Sequence, residues 1–245
     1  MMKVWPLVKW HAVDCTLARL AVAHSELFSG WPDEPIARLI GAADLVTLEP
    51  GDCLHRSGDE ARFLYLLVTG SMRLTRPVAG DRPFIFGIHL AGDFHGLGPI
   101  LARTPHINTS ICKDRTTLVR IPAEILRKQI ADNGRLSFPL FAALERRHLR
   151  ATNLYMTATV RSIRSRVAEL LRSFGARRAR SHTGGEIRLS QDEIATMLGT
   201  RRQVINRTLR EMAGEGAIHV QYGRITVDDP ALLERMAQDE GKPVF

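Results

Sequence analysis

The segment LSQDEIATMLGTRRQVINRTLREMAGEGAI, Leu189–Ile218, constrains this chain more than any other. Ser190 followed three residues later by Glu193 forms a capping box, in which each side chain satisfies the other residue's backbone N–H, so a helix is predicted to begin at Gln191. Ile194, Ala195, Met197 and Leu198 supply its apolar face, and Gly199 falls where the turn needs a residue without a Cβ. A second helix is predicted from about Arg201 to Ala213. On it, Arg202, Gln203, Asn206 and Arg207 share one face by i, i+3/i+4 spacing, while Ile205, Leu209 and Met212 face the first helix and Val204 borders the two. Guanidinium forks and amides are the groups that read guanine and adenine edges in a major groove. Apolar packing on one side and base-reading groups on the other, in this order, is the pattern of a helix-turn-helix.

From Ile218 on, IHVQYGRITV reads as two short strands turning at Tyr222-Gly223, a wing beside the helices. Ser190, Arg201, Tyr222 and Arg224 lie at helix and wing ends, where phosphates of a bound duplex would pass. Charge agrees with this. The formal net charge is +8, and between Arg161 and Met212 twelve arginines face only five acidic residues. A polyanionic partner, duplex DNA before an acidic membrane, follows from that concentration.

Upstream the pattern changes. From about Leu45 to Pro122, short apolar or alternating runs are separated by Pro50-Gly51, Ser57-Gly58-Asp59, Thr69-Gly70 and Gly92-Asp93, the spacing of an antiparallel β-sandwich or barrel. A short helix is predicted over Ala123–Ala131. A glycine-free stretch then runs from Leu140 to Phe174, with Pro139 at its start and Gly175 as its expected end. Leu144, His148, Ala151, Tyr155 and Ala158, spaced 4, 3, 4 and 3, form a heptad-like seam that suits either a dimer or packing within one chain. Near the N-terminus, Leu17, Leu20, Ala21 and His24 predict one side of a short helix.

Cys15, Cys53 and Cys112 are scattered and odd in number, which is neither a disulfide framework nor a metal-ligand spacing. His55, His89, His95 and His106 are read as isolated surface or core residues, so no metal and no cofactor is expected. No nucleophile elbow, metalloprotease helix, phosphate loop or kinase motif is present, so no enzyme is expected. The N-terminal run is broken by Pro6, Lys9 and His11, a poor signal peptide, and a cytoplasmic location is expected.

With Ser57–Leu74 (SGDEARFLYLLVTGSMRL) and Leu189–Ile218 as its carriers, the chain resembles the cyclic-AMP receptor protein / fumarate-nitrate reductase regulator (Crp/Fnr) superfamily over roughly residues 27–235. The resemblance implies an α+β fold: an N-terminal β-roll (a double-stranded β-helix of the cyclic-nucleotide-binding kind), a long dimerisation helix and a C-terminal winged helix-turn-helix. The expected division is an extension over 1–24, a β-roll sensor over 25–135, the helix over 136–162 and the DNA-binding domain over 163–245. It further implies a homodimer on a near-palindromic site, contact with RNA polymerase, and a small-molecule or redox signal felt in the β-roll.

Carried over residue by residue, the family's base readers fall on Arg202, Gln203 and Arg207, with Gln203 in place of the usual glutamate. The nucleotide cassette is degenerate. Phe94 and Gly96 match, but Leu97 replaces the ribose-binding glutamate, and Ile107 or Asn108, before Thr109, stands where an arginine pairs with the cyclic phosphate. A signal other than cyclic AMP is therefore expected. The family's iron–sulfur sensors need four cysteines, against three here, and its haem sensors use an axial histidine or cysteine. Two rival readings are an effector-independent regulator with a vestigial pocket and a regulatory or scaffold subunit that binds no DNA.

Overall fold

The computed structural model describes residues 12–77, 83–180 and 186–239, and the chain divides into two compact units, Met1–Arg147 and His148–Phe245. In the first unit, helices α1 (Ala12–Ala23) and α2 (Asp33–Gly41) precede strands β1 (Asp44–Leu48), β2 (Cys53–His55), β3 (Phe63–Thr69), β4 (Ser71–Arg76), β5 (Phe84–Leu90) and β6 (Phe94–His95). A short helix α3 (Leu97–Ala102) leads to β7 (Thr109–Cys112), β8 (Thr116–Pro122) and α4 (Ala123–Asp132), and α5 (Ser137–Val160) begins in this unit.

The strands form two antiparallel four-stranded sheets, β1-β8-β3-β6 and β2-β7-β4-β5. Apart from the β4–β5 hairpin, sequential strands cross from one sheet to the other, which is the β-roll. Strand β3 shows why its sequence, FLYLLVT, is almost wholly apolar. Leu64 and Leu66 join the helices' core, whereas Tyr65 and Leu67 pack with Leu48, Met72, Cys112 and Leu118. A strand buried on both faces loses the polar alternation of a surface strand. Helices α1, α2, α4 and the first turns of α5 close one side through Val22, Leu39, Leu126 and Leu140.

Three expectations need correction. Leu17 and Leu20 of α1 are exposed, and Ala18 and Val22 are the side that packs, so this extension belongs to the β-roll's core. Second, the stretch from Leu140 to Phe174 is two helices, because the chain leaves helical geometry at Arg161–Ser162. There the Ser162 hydroxyl accepts the Ser165 N–H at 3.2 Å and starts α6 (Ile163–Arg180). Third, α6 runs through Gly175, where a glycine weakens a helix without ending it. Residues 1–11 of the extension, 78–82, and 181–185 of the basic turn after α6 lie outside the described residues.

The second unit continues with α7 (Gln191–Leu198), α8 (Arg202–Gly214), β9 (Ile218–Gln221), β10 (Arg224–Val227) and α9 (Pro230–Gln238). Val167, Leu171, Ile194, Leu198, Ile205, Leu209, Met212, Ile225, Leu233 and Met236 are its buried core. Helix α9 completes it: Ser165 Oγ donates to the Ala237 carbonyl at 2.7 Å, and Arg161 Nη1 reaches the same oxygen at 2.8 Å. Among the described residues, no helix is long and apolar enough to cross a membrane.

Candidate nucleic-acid interface

The capping box forms as the sequence predicts. Glu193 N donates to Ser190 Oγ at 3.1 Å, and Ser190 N donates to Glu193 Oε2 at 2.9 Å. Gly199 ends α7 in the left-handed region at φ 64°, and Arg166 Nη2 donates to the last α7 carbonyl, Leu198 O, at 2.7 Å. That fixed turn sets α8 against α7 through Ile205, Thr208, Leu209 and Met212, all buried. The opposite face is polar. Arg202, Gln203, Asn206, Arg207, Arg210 and Glu211 line one shallow depression, and Arg202, Gln203 and Arg207 are exposed.

The four expected base readers are not equivalent. Asn206 Nδ2 donates to Gln191 Oε1 at 3.0 Å, so its amide braces the two helices. Arg202 approaches Asp192 at 3.4 Å and Arg207 approaches Glu211 at 3.7 Å, both as exposed pairs. Such pairs contribute little, about 0–1 kcal/mol, so a base edge or phosphate can displace the carboxylate.

Strands β9 and β10 pair with Gln221 opposite Arg224, leaving Tyr222-Gly223 as a two-residue turn. Tyr222 is fully exposed at its tip. Arg224 reaches Glu186 Oε1 at 3.3 Å, and Arg201 is exposed as the N-cap of α8. Ser190 spends its hydroxyl lone pair on the cap, which leaves its O–H to donate to an anion. Along α5 the seam divides. Leu144 is half-buried against the β-roll core, whereas His148, Ala151, Tyr155 and Ala158 are exposed. Leu149, Leu154, Met156 and Val160 add exposed apolar surface beside them.

In the β-roll, Phe94 is buried and carries the Arg147 guanidinium over its ring at 3.5 Å, and Arg147 Nη2 donates to the Phe94 carbonyl. Leu97 is fully buried in the core. Asn108 is buried with Oδ1 lacking a hydrogen-bond partner among the described residues, Thr109 Oγ1 accepts the Ser57 N–H at 3.1 Å, and Ile107 and Arg103 are exposed. Burial pushes the Cys112 thiol up to about 11 and raises that of Cys53, which disfavours the thiolate that an oxidant attacks.

Residues 45–133 match the family model of the cyclic nucleotide-binding domain, and residues 165–236 match that of the Crp-like helix-turn-helix domain. The CRP-like cAMP-activated global transcriptional regulator of Mycobacterium tuberculosis is 26% identical over 221 residues, covering 89% of this chain and 98% of that protein. This chain belongs to the Crp/Fnr superfamily. The Cyclic AMP receptor protein of Thermus thermophilus is 26% identical over 214 residues, 87% of this chain and 97% of that one. The structure of FixK2 from Bradyrhizobium japonicum shares the fold, with a TM-score of 0.71 at 20% identity over 79% of this chain and 96% of that chain. The protein is thus a Crp-family transcription regulator with a helix-turn-helix DNA-binding domain.

Measured against the Crp/Fnr cassette, the position that would hold a ribose hydroxyl is a core leucine and the arginine position has no cation. What the sequence missed lies beside it. Three of the four histidines read as isolated, His55, His95 and His106, are buried and converge. They come from β2, from β6 in the other sheet, and from the segment before β7, so only the pairing of the roll brings them together. No motif spacing in the sequence links the three.

Proposed function

We propose that this Crp/Fnr regulator binds duplex DNA as a homodimer on a near-palindromic site, in the cytoplasm and together with RNA polymerase, under a β-roll signal that is not cyclic AMP. It acts by binding and not by catalysis. The observation that carries the reading is the exposed Arg202–Gln203–Arg207 face of α8, held against a capped α7 and flanked by the wing. Arg202 and Arg207 read guanines, Gln203 reads an adenine, and Asn206 supports them from its bond to Gln191. Ser190, Arg201, Tyr222 and Arg224 hold phosphates. The apolar strip of α5 supports the dimer, because His148, Ala151, Tyr155 and Ala158 are exposed. Two recognition helices then lie about 34 Å apart, one DNA turn. The division at 135 and 162 stays part of this proposal, and the sensor domain takes in α1, whose Ala18 and Val22 join its core.

The buried Leu97 argues against cyclic AMP, since a ribose hydroxyl there would lose its carboxylate acceptor and meet an aliphatic side chain. A gel-shift with fragmented genomic DNA in the presence of excess non-specific competitor tests the function. Retention of discrete fragments is expected, and uniform competition across all fragments would reduce the protein to a non-specific binder.

A further inference from the structure

His55, His95 and His106 present three ring nitrogens that lie within 4.8 Å of one another inside the β-roll. The His55 and His95 Nε2 atoms are 2.6 Å apart. The His106 ring stacks on His55 with centroids 3.6 Å apart and planes 14° from parallel. All three side chains are almost completely shielded, at 7%, 7% and 3% exposure.

We infer that His55, His95 and His106 bind one divalent d-block metal ion of the Zn²⁺ type, as a three-imidazole site with a fourth position left to water or a small anion. Imidazole suits zinc, copper, iron and nickel, and three protein ligands with an exchangeable fourth is a recurrent zinc arrangement. At metal–nitrogen distances of about 2.0–2.1 Å, tetrahedral ligands lie about 3.3 Å apart. The His55–His95 separation therefore opens by about 0.7 Å when an ion replaces the shared proton. One of the stacked rings must turn about χ2, a broad and soft torsion, to bring both lone pairs onto one point.

The tautomer of His55 fits. Its Nδ1 lies 3.4 Å from the Arg56 carbonyl, which can only accept, so the proton belongs on Nδ1 and the Nε2 lone pair faces the cluster. His89, edge-on to His95 at 5.2 Å between ring centroids, orients that ring.

Taking the ion as the β-roll's signal rests on the proposed regulatory function, but the site itself is tested without DNA. The full chain, purified without a polyhistidine tag and stripped with chelator, is incubated with Zn²⁺ or Co²⁺ and dialysed, and bound metal is counted. One ion per chain is expected, with intensified visible absorption for Co²⁺ and ¹⁵N shifts confined to three imidazoles. His55→Gln and His106→Gln, each checked for native circular dichroism, should bind at least about tenfold more weakly. His219→Ala, in the wing, should bind as the wild type. Wild-type protein that retains no metal, or retention unchanged in both glutamine variants, overturns the inference. The ¹⁵N measurement decides the question on unmodified protein should the variants lose their fold. Metal binding in a protein that ignores DNA would refute the regulatory reading and leave the site standing.

Discussion

Gly70 is the single residue by which β3 in one sheet passes into β4 in the other, and a methyl group there has no room. An added Cβ would lie 2.5 Å from Thr116 Oγ1, 2.6 Å from the Arg115 carbonyl oxygen and 2.7 Å from Thr116 Cα, and φ is +81°. Two of those neighbours are backbone atoms, which cannot rotate away. Gly58 offers the control, since its φ is +94° but nothing lies within 4 Å of its would-be Cβ. Alanine at Gly58 incurs the left-handed backbone term alone, about 1–2 kcal/mol. Alanine at Gly70 adds displacement of the β8 entry, about 1–3 kcal/mol by analogy with overpacked cores. The difference should lower the urea midpoint of Gly70→Ala by roughly 0.5–1.5 M relative to Gly58→Ala, at an m-value of about 2 kcal/mol/M. Tryptophan fluorescence follows this unit, because Trp5, Trp10 and Trp31 are the chain's three tryptophans and Trp31 is buried against Phe28. Equal midpoints for the two variants would refute the close approach and with it this pairing of the two sheets.

Other consequences are as direct. Tyr155→Arg, at a side chain 74% exposed and outside the β-roll core, should shift the protein toward monomer in sedimentation without lowering its melting temperature, whereas Leu144→Arg should damage both. Arg201→Ala and Arg224→Ala should weaken binding to all DNA sequences alike and reduce the slope of log K against log salt by about one unit each. Calorimetry should find no micromolar binding of cyclic AMP, and such binding would mean that the exposed Arg103 swings in to take the phosphate.

The parts legible in the sequence were those fixed by local rules. The capping box, the Gly199 turn and the Tyr222-Gly223 hairpin each depend on residues within four positions of one another, and the structure reproduces all three. No glycine or proline marks the break at Arg161–Ser162, so only the family resemblance, with its helix end at 162, pointed to it. The role of Asn206 was hidden: its helix face predicts exposure, while its bond to Gln191 depends on the angle at which the helices pack. The histidine cluster is the extreme case. His55 and His95 are 40 residues apart and lie on different sheets, and only the register of β3 with β6 and of β2 with β7 makes them neighbours.

Selection of binding sites from random duplexes, run on the wild type, Arg207→Ala and Gln203→Glu, tests the central claim most directly. Loss of one guanidinium–guanine pair should cost about 1–3 kcal/mol on the selected site and relax preference at that base pair. Gln203→Glu replaces an amide that pairs with adenine by a carboxylate that accepts from cytosine N4, so that position should change from adenine toward cytosine on the contacted strand. An enriched two-fold symmetric motif in the wild type, altered at one base pair by each variant, is the predicted result. Motifs left unchanged by both substitutions would show that α8 does not read the DNA.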